Sequence, residues 1–463
     1  MRIVLDLQAC QCGSRFRGIG RYSRSLGVAM ARRLTDRGHE VWIALNAAFP
    51  EQIEPIASLF EDWVPRDRVS VFHVPAPIAA LDSSNRWRLG AAELLRERAL
   101  AELEPDLVHI STLIADGWSD DAVATIGELP VSVLTALTHY DLIPLVMQAD
   151  YLSDGEFRSY YLKRLESLKK ATLLLGISDY TCREAVQMLG REAGSVVNIS
   201  SAVDALPPRS EDTELADREL LARLQINPGF LLYAPGGFDA RKNLNRLIEA
   251  YALLPAHLRD RHQLVIASKI DQGMREAWQW KAQDCGLSPN QFVLTDYVPD
   301  DELMSLYRLS RAYVFPSLHE GFGLPVLEAM TVGAAVIASS RTGIPEAVGL
   351  DEALFDPTSN EDIARALLKV IEDDAFVARL REHAVQQVGR FSWTRCADVA
   401  IDAFEKVVAQ YKSTNRQSAS QESLPSLADI IRIASEKCGD CQPTEADLAM
   451  VRECFSLNSR TDK

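Results

Sequence analysis

The sequence predicts an α/β chain of two parallel-sheet domains. Three observations lead there. The 463 residues exceed what one core ordinarily holds. Short apolar runs alternate with amphipathic stretches, first over residues 1–203 and again over 230–395. Between the two series lies a polar, acidic interval with a Pro-Pro pair, 204–229, read as a linker with one short helix. Runs buried on both faces and separated by helices are the mark of parallel sheets with crossover helices.

The elements follow in order. "RIVLDL" (2–7) is a first strand. "YSRSLGVAMARRLTDRG" (22–38) spaces its apolar residues as a helix does and stops at Gly38. "EVWIALN" (40–46), "DLVHIS" (106–111), "VSVLTALTHYD" (131–141) and "ATLLLGIS" (171–178) are further strands. In the second series "FLLYAPG" (230–236), "QLVIASK" (263–269), "FVLTDYV" (292–298), "AYVFPS" (312–317) and "AAVIASS" (334–340) are strands, with helices around 243–254, 301–309, 325–332 and 360–388. A cleft between the two domains is the expected ligand site. Residues 396–412 read as a last amphipathic helix, and 413–463 as a polar linker and helical tail. The tail's two short helices carry too little apolar surface for a core, so they are expected to pack on the main body or on another part of a longer protein.

Composition narrows the function. Nearly half the residues are apolar and a quarter charged, ordinary for a soluble globular protein. A formal net charge of -16 disfavours nucleic acid as the main partner. No run approaches the ~20 apolar residues of a membrane helix. "MRIVLDLQACQCG" reads as a strand rather than an export signal, so a cytoplasmic location with eight reduced thiols is expected. Cys438 and Cys441 form a C-x-x-C pair without the further ligands of a tetrahedral zinc site. The acids of "SDDA" (119–122) and "PDDE" (299–302) are read as helix N-terminal acids rather than metal ligands. His109, in an apolar strand, is read first as a satisfied core residue.

Two stretches carry candidate chemistry. "YAPGGFDARKN" (233–243) follows a strand and opens a helix; its glycines allow close backbone approach, and Arg241 and Lys242 lie near free N–H groups that favour anions. In "HEGFGLPVLEAM" (319–330) a strand gives way to a glycine turn and a helix. N–H groups at Gly321, Phe322 and Gly323 can meet hydroxyls or a phosphate. Glu320 and Glu328 can accept from sugar hydroxyls, because a carboxylate only accepts.

"EGFGLPVLE" resembles the paired glutamates of the retaining glycosyltransferases of family 4, and "VGAAVIASSRTGIPEAVG", "YVPDDELMSLYRLSRAYVFPS" and "RKN" are similar to that family too. The resemblance covers most of 1–412. It implies the GT-B fold of two Rossmann-like domains, with the acceptor on the N-terminal side and the nucleotide-sugar on the C-terminal side. It implies that Glu320, Leu324 and the turn Gly321–Gly323 meet the donor sugar, that Glu328 holds the ribose, and that Lys242 neutralises the diphosphate. Gly237 stands where many members have an arginine, so Arg241 is assigned the second positive charge. Tyr297 and Val298 fall where backbone meets the nucleobase. "GSRFRGIGRYSRSL" (13–26) matches the family's glycine loop, giving Gly18, Ile19 and Gly20. "THYDLIP" (138–144) resembles the family's T-x-H-D segment. Asp141 aligns there as a catalytic candidate, Tyr140 occupies the histidine position and His139 sits one place early. Ser178 matches a further cleft position.

The resemblance further implies retaining transfer with no bound metal or other cofactor. "DLQACQCGSRFRGIGRYS" and "YDLIP" look like bacterial enzymes of O-antigen and lipopolysaccharide synthesis, many of them mannosyltransferases. GDP-mannose is therefore the favoured donor, with a saccharide or lipid-linked saccharide as acceptor. The tail resembles connectors between fused transferase modules, so a larger multidomain transferase is an expectation. Arg15, Arg17, Arg21, Arg24, Arg32, Arg33 and Arg37 suggest a basic patch for peripheral contact with the inner face of the plasma membrane. A nucleotide-sugar epimerase of the same fold and a non-catalytic module are the competing readings.

Overall fold

The computed structural model describes residues 1–114, 116–204, 213–414, 423–439 and 441–459. The polar stretches 205–212 and 415–422, within the expected linkers, lie outside the described residues. The chain divides into two compact units. The first takes Met1–Ile177, Thr181–Ser200 and everything from Trp393 onward; the second takes Ser178–Tyr180 and Ser201–Ser392.

The first unit is built on a seven-stranded parallel sheet. Its strands are β1 (Arg2–Asp6), β2 (Glu40–Asn46), β3 (Val69–Phe72), β4 (Leu107–Ile110), β5 (Thr135–His139), β6 (Leu173–Gly176) and β7 (Val196–Asn198), in the order β3-β2-β1-β4-β5-β6-β7. The second unit has β8 (Leu231–Tyr233), β9 (Leu264–Ile266), β10 (Phe292–Leu294), β11 (Ala312–Phe315), β12 (Val336–Ser339) and β13 (Leu354–Phe355), all parallel, in the order β10-β9-β8-β11-β12-β13. β4, β6, β8, β11 and β12 are buried along their whole length, as strands covered by helices on both faces must be.

Each order reverses once: between β1 and β4 in the first sheet, and between β8 and β11 in the second. At such a reversal the loops leaving the carboxyl ends diverge and leave a crevice. The loop after β1 leads to Gly18–Gly20, the loop after β8 to Arg241 and Lys242, and the loop after β11 to Glu320. The topology therefore selects the stretches that the motifs select.

Several sequence expectations need correction. β3, β7 and β13 are short strands at sheet edges and have no long apolar run to announce them. The stretch 360–388 is two helices, Asn360–Glu372 and Asp374–Val388; Asp373 between them accepts from the Phe376 N–H at 2.8 Å and starts the second. Helix Thr213–Arg223, expected in a linker, belongs to the second unit, where both oxygens of Asp217 take the Arg308 guanidinium at 2.7 and 2.8 Å. The acids of "SDDA" start no helix: Asp120 accepts from the N–H groups of Gly117 and Ala122 in a loop, and Asp121 from that of Ile78. Those of "PDDE" do lie in a first helical turn, that of Asp300–Leu309.

The last long helix, Trp393–Thr414, returns to the first unit. Its Asp398 and Asp402 take Arg33 at 2.9 Å and Arg37 at 2.8 and 2.6 Å. Two of the seven arginines read as a basic patch are thus committed to holding this helix. The tail helices Leu427–Cys438 and Glu445–Asn458 each begin with a capping box, Ser426 with Asp429 and Thr444 with Asp447. They pack on helix Arg86–Glu102 around Trp87, Leu94, Ile430, Ala434 and Val451. Asn458 clamps the backbone of His73, accepting from its N–H at 2.7 Å and donating to its carbonyl at 3.0 Å. No described helix is long and apolar enough to cross a membrane.

Candidate active site

In the second unit the site grows from β8. After Tyr233 the chain turns through Gly236, at φ 66°, into the 3-10 turn Ala240–Lys242. Asn243 then adopts the left-handed conformation, φ 61°, before helix Leu244–Ala252. Asparagine tolerates that region better than most residues, and here its side chain adds a second reason. Its Nδ2 donates to the carbonyls of Pro316 at 3.0 Å and Pro357 at 2.8 Å. The Tyr233 hydroxyl donates to the Lys242 carbonyl, and the Leu318 N–H to that of Arg241, both at 2.7 Å. The turn is thereby fixed to the segment that carries Glu320.

The result is a compact charge cluster. Lys242 Nζ and Arg241 Nη1 each lie 2.8 Å from the same oxygen, Oε1 of Glu320. Burial pushes the Glu320 carboxyl up, but the Lys242 ammonium and Arg241 guanidinium outweigh it and hold the group below the usual glutamate range. Two cations thus converge on one carboxylate oxygen at the end of β8, with Asp239 3.7 Å from the Arg241 guanidinium; a diphosphate can compete with Glu320 for the pair.

The loop after β11 is seated as tightly. The Glu320 N–H donates to Thr342 Oγ1 at 3.1 Å, and the Gly343 N–H to the Glu320 carbonyl at 3.2 Å. A Cβ on Gly343 would stand 2.2 Å from the Gly321 carbonyl oxygen, so only glycine allows this approach. Ser178 Oγ donates to the Gly321 carbonyl at 2.6 Å. Phe322 is buried edge-to-face on Phe391. Gly323, at φ 120°, starts helix Leu324–Thr331 with Pro325 in its first turn. The N–H groups of Gly321, Phe322, Gly323 and Leu324 have no backbone carbonyl partner among the described residues, the usual state of a helix start and one that favours an anion or hydroxyl. Glu328 is half-buried in the second turn of that helix. Tyr297 is exposed and Val298 buried, both after the edge strand β10, two strands from β8.

In the first unit the loop after β1 ends at helix Gly18–Asp36. A Cβ on Gly20 would lie 2.3 Å from the Ser14 carbonyl oxygen, so the loop folds directly onto the helix. Tyr140, next after β5, reaches this helix: its hydroxyl is 2.9 Å from Ser23 Oγ and 3.5 Å from the Ile19 carbonyl. Burial pushes that phenol up, so it stays neutral. His139 faces the other way, as strand alternation requires. It is buried, and burial pulls its pKa down to about 4. The ring is therefore neutral at physiological pH. Asp141 Oδ1 accepts from the Ile143 N–H at 3.0 Å and shapes the turn after β5. His109 is a buried neutral residue, its pKa pulled to about 4 by burial, with Nε2 2.9 Å from Thr138 Oγ1.

Among the described residues one group brings three potential metal ligands together, Cys12, Asp116 and Asp120. Burial pushes the Cys12 thiol far up and keeps it protonated beside Asp116, while Asp120 is occupied by backbone N–H groups. The eight cysteines are free thiols. Asn243, Thr342 and Gly343 were missed as site residues. An asparagine directly after the basic pair was the available signal, and the two others lie within a stretch noted only as similar to the family.

The comparisons bear on the family and the fold. The family model described as Glycosyltransferase Family 4 matches residues 18–205, and Glycosyl transferases group 1 matches 222–387. Sucrose-phosphate synthase from Thermosynechococcus elongatus aligns with a TM-score of 0.60 at 18% identity, over 89% of this chain and 100% of that one. Anabaena HepE, solved in complex with UDP and glucose, aligns with a TM-score of 0.57 at 18% identity, over 89% and 100%. Together with the two parallel sheets, these neighbours place the fold in the GT-B class. The serotype-specific mannosyltransferase WbdA of Escherichia coli is 33% identical over 431 residues, 90% of this chain and 50% of that protein. The O-antigen chain mannosyltransferase B of Escherichia coli is 31% identical over 279 residues, 60% of this chain and 72% of that protein. The chain belongs to the family 4 glycosyltransferases. It spans about half the length of the WbdA relatives it matches.

Proposed function

We propose that the chain transfers mannose from GDP-mannose to a saccharide acceptor, with retention of anomeric configuration. The observation that carries this reading is the pairing of Arg241 and Lys242 on Glu320 in a chain whose relatives are named mannosyltransferases. Charge builds on the departing diphosphate, and two fixed cations with the N–H groups of Gly321–Leu324 stand ready to stabilise it without reorganising. The leaving phosphate takes the acceptor proton as the hydroxyl attacks from the same face. Glu328 holds the ribose, and Tyr297 and Val298 border the base. On the first unit Gly18–Gly20, Tyr140 and Asp141 are assigned to substrate contact, and on the second unit Ser178.

With both charges supplied by side chains, transfer needs no divalent ion in this reading. A chelator is then expected to leave the rate unchanged, and a loss restored by magnesium would contradict it. The acceptor is proposed to be lipid-linked and met at the cytoplasmic face of the membrane, where Arg15, Arg17, Arg21, Arg24 and Arg32 face anionic lipid. The proposal covers one transferase module, in keeping with the half-length match to the WbdA relatives. The test is incubation with GDP-mannose and a synthetic lipid-linked saccharide. An axial mannoside in the product is expected; conversion of the sugar nucleotide alone, without transfer, would favour an epimerase instead.

A further inference from the structure

Away from Glu320, the second unit holds a cavity of about 650 Å³ between helices Leu244–Ala252 and Gln272–Asp284 and the loop after β8. That volume falls within the ~300–1,000 Å³ of small-molecule sites. Its aromatic part is Phe238 with Trp278, ring centroids 6.1 Å apart and planes tilted by 35°. Its polar part includes Asn245, Arg246, Glu249 and Lys281. Glu249 is held in place: Lys281 binds one oxygen and Asn360 Nδ2 donates to the other at 3.0 Å. The Lys281 ammonium, with Asn360, keeps this carboxyl below the usual range. Trp278 Nε1 is buried and donates to no group among the described residues.

The mix discriminates between ligand classes. A purely apolar ligand would strand the charges and amides of the wall. A phosphate would meet the carboxylates of Glu249 and Asp239. A sugar ring offers a flat C–H face to an aromatic ring and a rim of hydroxyls that both donate and accept. Those hydroxyls fit a fixed carboxylate acceptor, a guanidinium and an amide, and the C–H face fits the Trp278 ring. The cavity also borders the catalytic turn. Asp239 lines it and lies 3.7 Å from the Arg241 guanidinium, while Ala240 and Asn243 bracket the Arg241–Lys242 pair.

We propose that this cavity is a saccharide-binding subsite, separate from the donor site, that holds a segment of the glycan on which the chain acts. The inference rests on the glycan-transfer reading above. A glycan anchored there stays near the second unit between transfers, which raises its effective concentration and favours long acceptors over short ones.

The test uses the full chain, a manno-oligosaccharide as probe, and calorimetry. The wild-type protein is expected to bind the probe. Trp278→Ala is expected to weaken that binding roughly tenfold, the loss of an aromatic platform. Trp280→Ala, on the same helix but 75% exposed and outside the cavity, is expected to bind as the wild type does. GDP titrated into the same samples reports on the donor reading by itself and confirms that each variant is folded. Should Trp278→Ala lose GDP binding as well, Arg246→Ala, on an exposed side chain of the cavity wall, is the variant that decides. Unchanged probe affinity in the deciding variant, or no probe binding by a wild-type protein that binds GDP, overturns the proposal.

Discussion

The Lys242 ammonium lies 2.8 Å from Oε1 of Glu320, and that contact joins the loop after β8 to the loop after β11. In the proposed mechanism it aligns a cation for a leaving diphosphate with a carboxylate for a sugar. Removing the cation tests the first half. Lys242→Ala is expected to lower kcat/KM by about 10²–10³, in line with loss of one fixed electrostatic donor. Lys242→Arg should recover part of it. Steady-state kinetics on both variants decide, and near-wild-type activity in Lys242→Ala would remove the residue from the mechanism.

Glu320 carries a pH signature. Its folded-state pKa is depressed, so its pairing adds stability above the unfolded glutamate value of about 4.3. That contribution fades as pH falls through the folded pKa. Glu320→Gln should therefore be less stable than the wild type at neutral pH, and the two urea midpoints should converge in acid. A gap that stayed constant down to acid pH would mean that the ion pairs add nothing to folding.

Asn243 combines left-handed backbone with two carbonyl contacts, to Pro316 and Pro357. Asn243→Ala loses both and is expected to cost about 2–4 kcal/mol. Asn243→Gly keeps the backbone conformation and should cost less, about 1–2 kcal/mol. Both should reduce transfer, because the turn that carries Lys242 loosens. Denaturation of the pair, ranked Ala below Gly, checks the argument.

The tail's anchorage is tested at Ile430, fully buried against helix Arg86–Glu102. Ile430→Ala should destabilise the first unit by about 2–4 kcal/mol. GDP binding, which the proposal assigns to the second unit, should not change. Two-probe unfolding separates the units, and an unaltered first transition would mean the tail docks without adding stability.

Much of this was legible from residues alone. Buried strands such as Leu231–Tyr233 announce themselves as apolar runs, and the basic and glycine motifs fall at their carboxyl ends. The opposite facings of His139 and Tyr140 follow from strand alternation. The short edge strands Val196–Asn198 and Leu354–Phe355 have too few residues for a period to show. The break at Asp373 is one capping side chain inside an otherwise continuous helical pattern. Arg33 and Arg37 look like a surface patch until a helix some 360 positions later brings Asp398 and Asp402 to them. Asn243 shows no sign in sequence of the two distant carbonyls it ties. Pairings at that separation are set by tertiary packing, which local pattern does not encode.

The most direct measurement is donor binding by calorimetry across GDP-mannose, UDP-glucose, UDP-N-acetylglucosamine and the bare diphosphates, with Lys242→Ala alongside. The account predicts that GDP and GDP-mannose bind most tightly and that both weaken in the variant. Tighter binding of a UDP-sugar would contradict the mannosyl assignment, and undiminished GDP binding by Lys242→Ala would contradict the site.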